Sequence, residues 1–153
     1  MYSRILVPVD GSETSKLGLA EAIRLARALH ACIRLIHVVD IGVLMSSEAA
    51  AVSYDIFIDG LRVGGKALLE EAAAQVSKAG IEVDTALLDA WDTGVGECIV
   101  QKAREYPADL IVCGTHGRRG VRRLLMGSDA EYIVRHSPVP VLLVRAPDVA
   151  KPA

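Results

Sequence analysis

Gly114-Thr115-His116-Gly117, followed after nine residues by Gly127-Ser128, has the residue types and spacing to hold a phosphate group. The stretch follows Asp109 to Cys113, a short run with the length and composition of a buried strand, and precedes Asp129 to Arg135, which reads as the start of a helix. A phosphate needs close-approaching backbone N–H groups and a local positive field. Glycines allow the approach and turn with positive φ, and a helix N-terminus supplies unpaired donors and a partial positive charge. The Ser128 hydroxyl adds a donor. Two ordinary glycine-bearing turns would leave the same trace, since such turns are common at strand ends.

Other nucleotide motifs fail. The chain has no Gly-x4-Gly-Lys-Ser/Thr loop, and Gly94-Val95-Gly96 is followed by Ile99 where a dinucleotide fingerprint needs its third glycine. Asp10, at the end of another apolar run, can accept hydrogen bonds from a ribose hydroxyl or an adenine edge, or can equally be a turn aspartate. The backbone N–H of His116 is a better phosphate donor than its imidazole, and no second ligand at metal spacing accompanies it. Arg118, Arg119, Arg122 and Arg123 crowd the connection and would make either a positive field beside phosphates or a solvated basic loop. A nucleic-acid patch is disfavoured, because the basic block is short and has no interleaved aromatics. Ser12 and Ser15 have no nearby histidine, so no nucleophile–base pair is visible and no catalytic residue is assigned.

These residues need elements to position them. Ile5 to Val9 reads as a strand, ended by Asp10-Gly11-Ser12, and Glu13 to His30 as a helix with Ser12 as its cap. Cys32 to Val39 is a second strand. The stretch from Asp40 to Asp59 has no firm period. Gly60 to Ala79 reads as a helix ended by Gly80, Ile81 to Leu88 as a strand, and Thr93 to Tyr106 as a helix stopped by Pro107. Leu110 to Cys113 and Val139 to Val144 complete five strands. Alternation of strand and helix predicts an α/β fold, a parallel sheet covered on both faces. Ligands of such sheets lie at the strands' C-terminal ends, where Asp10, Asp40 and Gly114 fall.

The 153 residues fit one domain, read as 1–146 with a flexible tail from 147 to 153. With one Phe and one Trp, aliphatic side chains must fill the core. A net charge of −2 predicts no general affinity for nucleic acid or anionic membrane. The three cysteines have no CxxC spacing, and Cys113 reads as a small buried hydrophobe, which fits a reducing cytoplasmic setting. The chain enters a strand within a few residues, leaving no room for a signal peptide, and no apolar run approaches the ~20 residues of a membrane span.

Taken together, Gly114-x2-Gly117-x9-Gly127-Ser128 resembles the ATP-binding signature of the universal stress protein family. Arg4 to Ser12, His37 to Asp40 and Val139 to Arg145 resemble that family's first, second and last strands, so the likeness runs from Arg4 to Arg145. The resemblance implies a three-layer α/β/α fold with a five-stranded parallel sheet in the order 3-2-1-4-5, of the adenine nucleotide α-hydrolase-like type. It implies a site for ATP, or for ADP or AMP, with Mg²⁺. Pro8, Val9, Asp10 and Val38 would lie around the adenosine, and Gly114, Thr115, His116, Gly117, Gly127, Ser128, Asp129 and Ala130 around the phosphates. It implies a homodimer paired through Val139 to Val144 and a stress-response regulatory role with at most slow ATP hydrolysis. Asp129 departs from the family pattern, which places a small or apolar residue there; its charge would repel a γ-phosphate unless turned away. The rival readings are a nucleotide-independent interaction module of the same fold and an adenylating enzyme. The enzyme would need a Ser-Gly-Gly-x-Asp-Ser loop where Asp10 to Ser15 stands.

Overall fold

The computed structural model describes residues 1–42, 54–116 and 126–147. The elements run β1 (Arg4–Pro8), α1 (Glu13–Leu29), β2 (Cys32–Asp40), α2 (Tyr54–Lys78), β3 (Val83–Ala90), α3 (Val95–Glu105), β4 (Leu110–Gly114), α4 (Ser128–His136) and β5 (Val141–Val144). The five strands form one sheet in the order β3-β2-β1-β4-β5, and every neighbouring pair is parallel. This is the expected three-layer α/β/α fold.

The pattern of the central strands explains the layers. β1 is apolar on both faces: Ile5 and Val7 point into one core with Leu19, Ala22 and Ala26 of α1 and Leu69, Ala72 and Val76 of α2. Leu6 points the other way, into a core with Ile99, Val100 and Ala103 of α3 and Ile133 of α4. A strand buried on both faces needs helices on both, which parallel crossovers deliver. Each fully buried aliphatic side chain contributes roughly 1.5–3 kcal/mol, against about 0–1 kcal/mol for an exposed ion pair. The cores, and not pairs such as Lys16–Glu13 or Arg135–Glu131, therefore hold the sheet.

Three of the boundaries that differ from the sequence expectation have a reason in the structure. α2 begins at Tyr54, six residues before Gly60, because its first turns are apolar on two faces and show no clean period. β3 runs Val83–Ala90, two residues later than Ile81 to Leu88, because its pairing with β2 continues to Asp40↔Ala90. β5 begins at Val141, not Val139. Pro140 has no N–H, and only its carbonyl joins the ladder, accepting from Ile111 N at 3.0 Å.

Cys113 is buried at the end of β4, and burial pushes its thiol up to about 12. No helix among the described residues is long and apolar enough to cross a membrane.

At the opposite end of the sheet Asp109 ties β1 to β4. Its carboxylate accepts from Ser3 N at 2.8 Å, Ser3 Oγ at 2.9 Å and Arg4 N at 3.0 Å. Burial pushes this carboxyl up, but the three donors outweigh it and hold it below the usual carboxylate range. A carboxyl depressed in the folded state stabilises the fold above its ordinary titration range, and loses that contribution as pH falls through the folded value. Asp109→Asn is therefore expected to cost about 1 kcal/mol at neutral pH. The gap from the wild type should close as the pH drops from about 5 into the acid range. Urea unfolding across that range checks it; a gap that stays constant with pH would contradict the anchoring role.

Candidate functional site

The site is assembled from two loops at the C-terminal ends of β1 and β4, where the chain's crossovers diverge. After β1 the backbone turns at Gly11, whose φ of 81° lies in the left-handed region that favours glycine. Asp10 Oδ1 accepts from Ser12 N at 2.9 Å, an Asx turn. Ser12 Oγ accepts from Ser15 N at 3.2 Å and caps α1 as its sequence position suggested, while Ser15 Oγ accepts from Asp10 N at 3.1 Å. Both serine hydroxyls thus serve local caps and turns.

The second loop is pinned from three sides. Thr115 N donates to Val144 O at 2.9 Å, and Thr115 O accepts from Gly127 N at 2.8 Å. This second bond brings the two halves of the glycine signature together. The Thr14 hydroxyl donates to His116 O in a short bond, joining the first turn of α1 to this loop. A Cβ on Gly114 would lie 2.7 Å from Thr14 Oγ1 and 2.8 Å from Thr14 C, so only glycine lets α1 approach this closely.

The reason for the glycines is thus corrected. Gly11 and Gly80 are the glycines with positive φ among the described residues, so Gly114 and Gly127 do not use that freedom. Gly114 makes room for Thr14. Gly127 is the N-cap of α4 in ordinary extended geometry, φ −61° and ψ 152°. Having no side chain, it supplies no cap bond. The first-turn N–H groups of Ser128, Asp129 and Ala130, which no helix bonds internally, therefore face their surroundings without a side-chain acceptor from the cap residue. Ser128 is exposed and Ala130 buried. His116 Nδ1 lies 2.9 Å from Thr115 Oγ1, and its Nε2 is buried with no hydrogen-bond partner among the described residues. Amides without a side-chain cap at a helix N-terminus make a donor set that fits an anion, and His116 Nε2 adds to it when Thr115 Oγ1 donates to Nδ1.

Asp129 has a different employer from the one its sequence position suggested. Its Oδ1 accepts from Gly96 N at 3.0 Å, in the first turn of α3. The N-cap of α3, Gly94, makes no side-chain cap bond either, so Asp129 caps the neighbouring helix from outside. A Cβ on Gly96 would come within 3.0 Å of Asp129 O and of Tyr132 Cβ, which shows how closely α3 and α4 pack there.

On the other side of β1, Pro8 pairs opposite Ile36, Val9 is buried, and Val38 is half-buried on β2. Val9 N donates to Ile36 O at 2.8 Å, and His37 Nδ1 donates to Val9 O at 2.7 Å. His37, given no role in the sequence reading, thus fixes the end of β1 from a buried position. Its signal is indirect: a Cβ on Gly65 of α2 would lie 2.6 Å from His37 Cδ2, so a helix glycine and a strand histidine are matched. Gly117 and the four arginines of the connection lie outside the described residues, as do 148–153 of the tail. Among the described residues no three metal-ligating side chains cluster.

A doubly wound parallel sheet with loops converging beyond β1 and β4 defines the open α/β class that binds ligands at its switch point. The family model described as the universal stress protein family matches residues 1–145. A universal stress protein of Methanocaldococcus jannaschii is 31% identical over 147 residues, covering 96% of this chain and 84% of its own. The crystal structure of a universal stress protein family member from Burkholderia pseudomallei is 33% identical, with TM-score 0.78 and coverage of 95% of this chain and 97% of that one. The chain belongs to the universal stress protein family. Two further solved relatives, each 24% identical with TM-score 0.65 and covering 94% of this chain, share the fold. One is a universal stress protein in complex with cAMP, covered over 97% of its length; the other, from Archaeoglobus fulgidus, is in complex with dAMP and covered over 98%.

The Asp129 contact carries its own test. Asp129→Ala removes a tertiary cap and is expected to cost about 1 kcal/mol in chemical denaturation, whereas Asp129→Asn keeps an acceptor and should cost clearly less. Equal loss in both variants would show that the carboxylate does not cap α3.

Proposed function

We propose that the chain is a cytoplasmic ATP-binding regulatory module of the stress response, acting as a homodimer and hydrolysing ATP slowly at most. The observation that carries the reading is the Gly127 N–Thr115 O bond. It closes the signature so that the amides of Ser128, Asp129 and Ala130 stand beside Gly114, Thr115 and His116. The triphosphate, with Mg²⁺, lies across this cradle. Asp10 holds the ribose, and Pro8, Val9 and Val38 flank the adenine. Val9 acts there through its surface alone, because both of its backbone polar groups are already bonded to β2. The engagement of the Asp129 carboxylate by Gly96 N supports tolerance of a γ-phosphate, since the bond holds the carboxylate toward α3. The relatives solved with cAMP and dAMP support adenine recognition as the common element.

The dimer forms through β5. This strand ends the sheet, and Val141, Leu142, Leu143 and Val144 are each only half-buried within one chain. An unpaired apolar edge invites another strand, and a two-fold axis satisfies both edges at once.

Two measurements test these readings. Gly127 already has a backbone that valine can adopt, so Gly127→Val should fold normally while its side chain fills the phosphate position. Calorimetry with ATP and Mg²⁺ is expected to show binding to the wild type and none to the variant. Equal affinity would remove the site assignment, and absence of binding to both would favour a nucleotide-independent module. For the assembly, Leu143→Pro deletes a central edge donor and should give lighter particles than the wild type by light scattering. A wild-type monomer at micromolar concentration would refute β5 pairing.

A further inference from the structure

Helix α2 carries two apolar faces where a surface helix carries one. Its inner face is the expected one, with Ile58, Gly65, Leu69, Ala72 and Val76 buried. At about 100° per residue, Ile56, Gly60, Val63, Gly64 and Ala67 fall on the opposite side, with Phe57 at its border. Ile56 is 77% exposed, Val63 67% and Phe57 53%. A Cβ added to Gly60 or Gly64 would meet nothing within 4 Å. For three turns the outward face thus has no charged residue, and its centre is flat. A helix that is apolar all round is normally covered on both sides, and a contiguous exposed apolar face marks an interaction surface.

We propose that this face binds the same face of a second copy of the chain, as an antiparallel α2–α2 pair distinct from the β5 edge, so that dimers formed through β5 associate in twos. Size and charge both select that occupant. Large side chains cluster at the N-terminal end of the stripe and small ones toward its middle. Antiparallel pairing about a two-fold axis near Arg62 sets Phe57 of one copy across from Ala67 of the other, and Gly60 across from Gly64. Under the same axis residues on one flank face the same flank of the second copy. Asp59 and Lys66 share a flank, two turns apart, and this axis sets each Asp59 beside the Lys66 of the other copy. Asp59 is available for the exchange. Its contact with Arg62, at 3.3 Å, is an exposed i,i+3 pair, and the Arg62 guanidinium is held more closely by Asp89 at 2.6 Å. A parallel pair, whose two-fold axis runs along the helices, would face each flank with the opposite flank of the other copy and leave Asp59 and Lys66 two turns apart.

The test is the mass of the full chain in solution by size exclusion with light scattering. Val63→Asp places a charge at the centre of the face and is expected to halve the wild-type mass at equal concentration, with an unchanged circular dichroism spectrum. Asp59→Lys alone and Lys66→Asp alone set like charges opposite each other and should shift the protein to the lighter species. The double variant Asp59→Lys/Lys66→Asp should restore the wild-type mass. These two positions are exposed, so they remain informative if Val63→Asp fails to fold. The β5 variant Leu143→Pro lowers the mass by its own route, and its effect should persist in the Asp59→Lys background, which keeps the two interfaces separable. A wild-type mass equal to that of Val63→Asp, or single charge reversals that leave the mass unchanged, would overturn the α2 interface. Failure of the double variant to restore would overturn its antiparallel register.

Discussion

The site depends on the close approach of α1 to the end of β4. Gly114 has no side chain, and the space is taken by Thr14, whose hydroxyl reaches the His116 carbonyl. Gly18 continues the approach one turn later, where an added Cβ would stand 3.4 Å from Gly114 N. The Thr14 contact joins the β1 loop to the β4 loop. The same contact explains why the first turn of α1 is buried despite its polar residues: Thr14 and Ser15 are both nearly inaccessible and both hydrogen-bonded.

A second dependence runs between the two helices on the other face. Neither α3 nor α4 begins with a side-chain cap of its own, because each has glycine at that position. α3 takes its cap from Asp129 of α4. The first turn of α4 is left for something outside the described residues. One carboxylate therefore links the geometry of the first turn of α4 to that of its neighbour.

Much of this was legible in the chain. The strands were clear because β1 and β4 bury both faces and so read as unbroken aliphatic runs. The strand order came from family resemblance, since periodicity carries no information about which strands pair. The α1 cap at Ser12 was visible because capping is local. What escaped was non-local. Sequence offers close approach to a phosphate or positive φ as reasons for a turn glycine, whereas Gly114 makes room for Thr14, a hundred residues earlier in the chain. Asp129 was set against a phosphate because its partner, Gly96, is 33 residues away. His37 escaped because a histidine in an apolar strand gives no hint that a neighbouring carbonyl needs it. The start of α2 escaped because an apolar residue on an outer face erases the period by which helices are found.

Cys113 sits one residue below the Gly114 turn, sealed in the α3 and α4 core, with its thiol pushed to about 12. At neutral pH the sulfur carries almost no thiolate and the residue is only 5% exposed, so electrophiles and peroxides have little there to attack. Cys32 and Cys98 are only half-buried and have no such shelter. Oxidative chemistry on this protein would therefore fall on its periphery first, and a modified Cys113 would be a chemical record that the domain had come apart.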